Sequence, residues 1–396
     1  MTAESRLEAA AGIMLDFAAR TGLTSHQPAR RYLWTDAFAL CNFLYLYRAT
    51  GETRYKDIAL ALVEQVHEVL GRHRPDDPRK GWISGLDEAS GRAHPLAGGL
   101  RIGKPLNERV PDAPPDARLE WEQDGQYYHY LTKWMHALAQ AGVALGQSRF
   151  IVWALELAQV AHRAFVYEPG GGASKRMYWK MRIDLSAPLV ASMGQHDPLD
   201  GLVTIKALQQ AAAGLPEGRA AANLDQEFGD LKQICSGIRF ETDDPLGVGG
   251  LLFDAGRLAQ IRWAGDAFMH DLTGRVLAAA GTGLAVYASQ GVLSWPVERR
   301  LAFRELGLAI GLSVLGRLPG WLAAAGNLQA ADILVMAERL GKYHPLGEAI
   351  EQTWLTPDNQ RANSWTEHRD ISTVMLATSL APDGFLCFTE GHQPAA

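Results

Sequence analysis

The sequence predicts an all-α protein built as an (α/α)6 toroid of about six helical hairpins, and three observations carry that expectation. Apolar residues recur at helical rather than strand spacing along most of the chain. The helical stretches come in pairs joined by short turns. Within a pair, one member is apolar nearly all round and the other is amphipathic. A helix apolar on every face belongs inside, whereas an amphipathic one keeps a face for solvent. Recurring pairs of this kind fit an inner and an outer ring of helices.

The elements follow in order. A first helix is expected at 4–20. In "DAFALCNFLYLYRATG", Phe38, Cys41, Leu44 and Leu46 lie near one another at helical spacing, and Gly51 is a suitable C-terminal cap. "ETRYKDIALALVEQVHEVLG" follows at once, with Ile58, Leu62, Val66 and Val69 on one stripe and charges opposite. The short turn between them makes an antiparallel hairpin. "QYYHYLTKWMHALAQAGVALG" repeats the inner type and "SRFIVWALELAQVAHRAF" the outer. "DGLVTIKALQQAAAG" pairs with "RAAANLDQEFGDLKQICSG". Further pairs are expected at 247–262 with 267–289, 298–317 with 327–340, and 345–355 with 365–380. The "GVGG" cluster at 247–250 reads as a turn. One domain is expected to span 1–396.

The run "LYRATGETRYKDIALALVEQV" resembles the hairpin repeat of the six-hairpin glycosidase-like (α/α)6 superfamily, which also includes N-acylglucosamine 2-epimerase-like proteins. The resemblance implies the toroid and points toward carbohydrate chemistry. It matches no particular family with assigned catalytic positions, because the motif specifies helix packing rather than a site.

Composition narrows the function classes. Among 396 residues, 47% are hydrophobic and 21% charged, the balance of a globular protein with a sizeable core. A net charge of −6 argues against a general nucleic-acid binder, which needs a basic surface to neutralise phosphates. Cys41, Cys235 and Cys387 are far apart and form no CxxC pair, so neither a disulfide framework nor a zinc site is expected. The N-terminus carries Glu8 and Asp16 within its apolar pattern, unlike a signal peptide. "VLAAAGTGLAVYASQGVLSW" is the nearest approach to a membrane span, and its glycines and polar residues suggest a buried helix pair instead. A cytoplasmic protein is expected, with no membrane or nucleic-acid partner, no cofactor and no metal; the oligomeric state stays open.

Two long interruptions, 73–123 and 167–200, break the helical rhythm, and each precedes a helix of the inner type. In a toroid of hairpins that places both at one mouth. Long loops in compact domains are often functional. Partial alternation in "RMYWKMRID" suggests a short β-hairpin there.

Four stretches can carry chemistry. In "WEQDGQYYHYLTKWMHAL" a continuous helix would line up Glu122, Gln126, His129, Lys133 and His136 on one stripe among aromatic rings. On an inner helix this stripe would face the cavity; on an outer one it would be a solvated face. "MGQHDPLDG" supplies His196, Asp197 and Asp200, with helix capping the simpler account of Asp200. "YLWTDAFALCNF" supplies Trp34 and Asp36, where capping again competes. "SWTEHRDIS" supplies Glu367 and His368, with Ser364 and Glu367 in capping-box spacing. "EPGGGASKR" lacks P-loop spacing and no HExxH or GxSxG element occurs.

Glycoside hydrolysis requires two carboxyl groups. Asp124 and Asp197 each stand at the end of a long loop and are the expected pair, with Asp36, His129, Lys133, His196, Asp200, Glu367 and His368 as substrate-binding groups. Trp34, Trp134 and Trp179 are the expected stacking walls for a small carbohydrate. A sugar epimerase or isomerase would instead rely on histidine acid–base pairs, and a non-catalytic carbohydrate-binding toroid would need the aromatics alone.

Overall fold

The computed structural model describes residues 1–110, 113–114, 116–170, 174–213, 215, 223–263, 265–327 and 330–388. Among them the chain is mostly helical, with only short strands. Two compact units are present. Ala18–Ile238 form the first; Met1–Phe17 and Arg239–Phe388 form the second. Helix α1 (Ala3–Arg20) contributes to both.

In the first unit, α2 (Leu33–Thr50) is buried on nearly every face, while α3 (Thr53–Leu70) buries one stripe that includes Tyr55, Ile58, Leu62 and Val66. Gly51 ends α2 in the left-handed conformation, and its N–H donates to the Tyr47 carbonyl, the role its position predicts. Two short helices follow, α4 (Glu88–Ala93) and α5 (Ala117–Glu122), then strand β1 (Gln126–Tyr127). Helix α6 (Tyr128–Ala144) pairs with α7 (Ser148–Phe165). Strands β2 (Val166–Tyr167), β3 (Arg176–Met177), β4 (Lys180–Met181) and β5 (Pro188–Val190) lead to α8 (Asp197–Ala212), which pairs with α9 (Asp225–Ser236). The apolar helices form a series in which α6 packs between α2 and α8, and each carries its amphipathic partner.

The alternation in "RMYWKMRID" produces two strands in different sheets: β3 pairs antiparallel with β2, and β4 lies between β1 and β5. The two long loops therefore meet. Ion pairs hold them together, since a buried charge is tolerated only when matched. Arg79 bonds Asp77, Glu108 and Asp184, each at 2.7–2.8 Å. Glu108 also takes Arg182, and Lys180, with no exposed side-chain surface, bonds the Glu120 carboxylate at 2.9 Å.

The second unit is built from α10 (Pro245–Gln260), α11 (Ala267–Ser289), α12 (Ala302–Leu312), α13 (Leu318–Ala324), α14 (Ala331–Leu340), α15 (His344–Leu355), α16 (Asn363–Thr366), α17 (Arg369–Leu380) and α18 (Asp383–Leu386). Helix α12 packs against α10, α15 and α17, and α11 against α10 and α14. The expected pairing of 298–317 with 327–340 is thus modified: the first stretch is α-helical only over α12, after a 3-10 turn at Val297–Arg299, and α14 docks mainly on α11. The apolar stretch beginning at Val276 continues α11 as far as Ser289 and then forms a single 3-10 turn at Val292–Ser294, rather than a helix pair. By length and composition this helix is long and apolar enough to cross a membrane, yet it contributes Leu272, Val276 and Leu284 to the core.

"GVGG" is not a turn. It lies inside α10, whose start is capped by Asp244 accepting from the Gly247 N–H. The glycines serve close approach: a Cβ on Gly249 would stand 2.2 Å from the Gly307 carbonyl oxygen of α12, and one on Gly311 2.6 Å from the Gly249 carbonyl oxygen. Backbone meets backbone here, so no side chain can rotate away. Gly249→Ala is expected to lower stability by about 1–3 kcal/mol through overpacking. An unchanged urea midpoint for this variant would show that the contact yields more easily than its geometry implies.

Candidate acid–base site

The N-terminal turns of α6 and α8 bring four of the sequence-selected side chains together. Gly201 makes the approach possible, because a Cβ there would stand 2.6 Å from the Tyr128 hydroxyl. Burial pushes the Tyr128 hydroxyl well above the ordinary phenol range, so it stays protonated. Asp197 and Asp200 both lie in the first turn of α8, where the helix dipole favours negative charge.

The side chains form two pairs. His129 Nδ1 is 3.4 Å from Asp197 Oδ1, an electrostatic contact looser than a good hydrogen bond. The other Asp197 oxygen is buried and has no hydrogen-bond partner in the protein. Gly194 leaves room for this carboxyl: a Cβ there would come within 2.6 Å of it. One turn along α6, Lys133 Nζ bonds Asp200 Oδ1 at 2.7 Å, and the Thr132 hydroxyl donates to Asp200 Oδ2. Asp200 is therefore not the N-cap suggested by its sequence position. His196 takes that place, half-buried and without a side-chain capping bond.

Aromatic rings adjoin the first pair. Tyr127 stacks on His129 at 5.3 Å, and Tyr130 meets the same imidazole edge-on at 4.9 Å. Trp179 lies against Tyr127 at 5.2 Å, with Trp121 edge-on to it. The Tyr32 and Tyr130 hydroxyls share a hydrogen bond of 2.6 Å, and burial pushes the Tyr32 pKa up to about 12. Lys104 lies 5.5 Å above the Tyr32 ring, and burial lowers its pKa.

Other expected site residues are placed differently. Asp124 has no exposed surface; it bonds Arg101 at 2.5 Å and accepts from the Gly103 and Gly125 N–H groups. That is the position of a loop anchor, with no face for a substrate. Asp36 is 1% exposed, paired with Arg31 and accepting from the Tyr32 N–H, so it fastens the start of α2. Trp34 packs on Phe38 in the core, and Trp134, with no exposed surface, donates to His67. Neither can present a face to a sugar. Glu367 and His368 are exposed residues of the second unit. Ser364 donates to the Val297 carbonyl, and the N-cap of its helix is Ala362, so the capping box is not formed.

The proposed stripe on one continuous helix is also shortened. Glu122 closes α5 and Gln126 is in β1, leaving His129, Lys133 and His136 on α6, with His136 buried. Thr132 and Trp121 escaped the sequence reading, and Tyr127 was read only as one of the aromatic rings beside the stripe. Tyr127 and Thr132 sit next to selected residues, but the partners that reveal their roles come from distant segments.

No protein-family model matches the chain, and no curated protein matches it.

Proposed function

We propose that the protein is a carbohydrate-active enzyme whose chemistry is proton transfer at the His129–Asp197 pair, as in a sugar epimerase or isomerase. The observation that carries this reading is the histidine backed by a carboxylate with one oxygen unmatched, beside a lysine fixed by Asp200. Moving a proton next to a carbonyl needs a positioned side chain that can both take up and return it, and an imidazole does so. The Asp197 carboxylate beside Nδ1 favours the imidazolium that forms when the ring takes up a proton. The Lys133 ammonium then stabilises charge developing on the substrate oxygen. Trp179, half-buried and backed by Tyr127, offers a ring face and a polar tip suited to the C–H patches and hydroxyls of a sugar.

Glycoside hydrolysis is the second reading. It is favoured by Asp197 and Asp200 sharing one helical turn, which makes Asp200 rather than Asp124 the second carboxyl. For the fold, we propose the (α/α)6 toroid formed by the whole chain, 1–396. Its support is that each unit contains a packed series of three apolar helices, α2–α6–α8 and α10–α12–α17.

The test is incubation of the full-length protein with a panel of free aldoses and ketoses in heavy water, followed by NMR, alongside a panel of aryl glycosides. Sugar interconversion with deuterium incorporation is expected, and it should fall at least about a hundredfold in His129→Asn and Asp197→Asn. Cleavage of glycosides without interconversion transfers the assignment to hydrolysis. Inactivity on both panels overturns both.

A further inference from the structure

A cleft in the first unit, about 520 Å³ in volume, opens between the C-terminal half of α7, β2 and the first turns of α9. None of its lining residues belongs to the His129–Asp197 or Lys133–Asp200 pairs.

Its chemistry is defined by acceptors. Asp230 is shared between Lys175, which donates to Oδ1 at 2.7 Å, and His162, whose Nε2 lies 3.0 Å from Oδ2. In the neutral imidazole, a proton on Nε2 bonded to Asp230 leaves Nδ1 as a lone pair. His162 is only 6% exposed, and this Nδ1 is buried without a partner. Glu227 Oε2, on the same lining, is likewise buried and unpartnered. Leaving two acceptors desolvated and unmatched is costly, and a ligand bringing N–H donors relieves the cost.

Charge distinguishes among such ligands. Glu168, Glu227 and Asp230 face Arg163 and Lys175 around the cleft, and Lys175 is engaged by Asp230. Tyr167 adds an aromatic surface, held flat by stacking on Tyr178 at 4.1 Å. Aromatic faces and carboxylates together favour a cation. We infer that this cleft binds a small organic amine in its ammonium form, with N–H donors to Glu227 Oε2 and His162 Nδ1 and its charge beside Tyr167.

Calorimetric titration of the full-length protein with 1,4-diaminobutane tests this, with 1,4-butanediol as the neutral counterpart of equal length. Saturable binding of the diamine is expected, with the diol weaker by at least about tenfold, as fits loss of charged hydrogen bonds. Glu227→Gln should weaken the diamine by a similar factor, and Tyr167→Leu should weaken it without removing an acceptor. His129→Asn should leave it unchanged, which separates this cleft from the proposed catalytic pair. No saturable diamine binding, equal binding of the diol, or unchanged affinity in both Glu227→Gln and Tyr167→Leu overturns the inference.

Discussion

Asp124→Asn will destabilise the first unit by about 3–5 kcal/mol, because it removes one partner of a buried ion pair and leaves the other charge behind. Arg101 keeps only 5% of its side chain exposed, and Asp124 none. The amide retains an oxygen for the Gly103 and Gly125 N–H groups, so those contacts survive. The charge facing Arg101, with Arg74 a further 3.5 Å neighbour, does not. Arg101 also donates to the Val69 and Arg72 carbonyls, tying the end of α3 to the loop before β1. Loosening Asp124 therefore loosens that junction. Urea denaturation should show a lower midpoint for Asp124→Asn, while Asp197→Asn, which removes a carboxylate oxygen with no partner, should shift it little. A fully stable but inactive Asp124→Asn protein would reverse this reading and return Asp124 to catalysis.

The fate of Asp124 shows where the sequence stops being informative. Helices were legible because their signals are local: apolar spacing located α2, α3, α6, α7 and α11, and Gly51 marked a real cap. The near-total burial of α2 and the one-sided burial of α3 also follow from composition alone. Pairings across the chain leave no such trace. Arg101 is 23 residues from Asp124, and nothing in either neighbourhood announces the other. Spacing misplaced Glu122 and Gln126 for a related reason. Gly125 adopts φ 151°, and a Cβ on it would stand 2.7 Å from the Met181 carbonyl oxygen, so the chain leaves helical geometry to pair with β4. Only α6 proper preserved the i, i+4 relation of His129 and Lys133, which is why those two were found. Their aspartates arrive from α8, where capping was the better local account of Asp200.

Acid should expose a second buried group. His67 sits between Trp134 and Trp153, 4% exposed, and accepts a hydrogen bond from Trp134 Nε1 at 3.2 Å. Acceptance from an indole N–H requires the neutral ring. Burial, with a smaller contribution from Arg149, lowers its pKa from 6.5 to about 3. The unfolded chain therefore binds a proton here at a pH where the folded one does not. Stability from this group is complete above pH 6.5 and is lost progressively as pH falls toward 3, by at most about 1.4 kcal/mol per pH unit. Between pH 7 and 4.5 the loss is about 2–3 kcal/mol by the same relation. The carboxylates that Arg74 and Arg79 engage, Asp76 and Asp77, are held below their ordinary range, so they contribute mainly at lower pH, through and below about 3.8. His67→Gln keeps an oxygen for Trp134 but cannot titrate, so its urea-derived stability should vary less between pH 7 and 4.5 than that of the parent. If the two proteins lose stability in parallel across that interval, His67 is not the group that sets the acid limit.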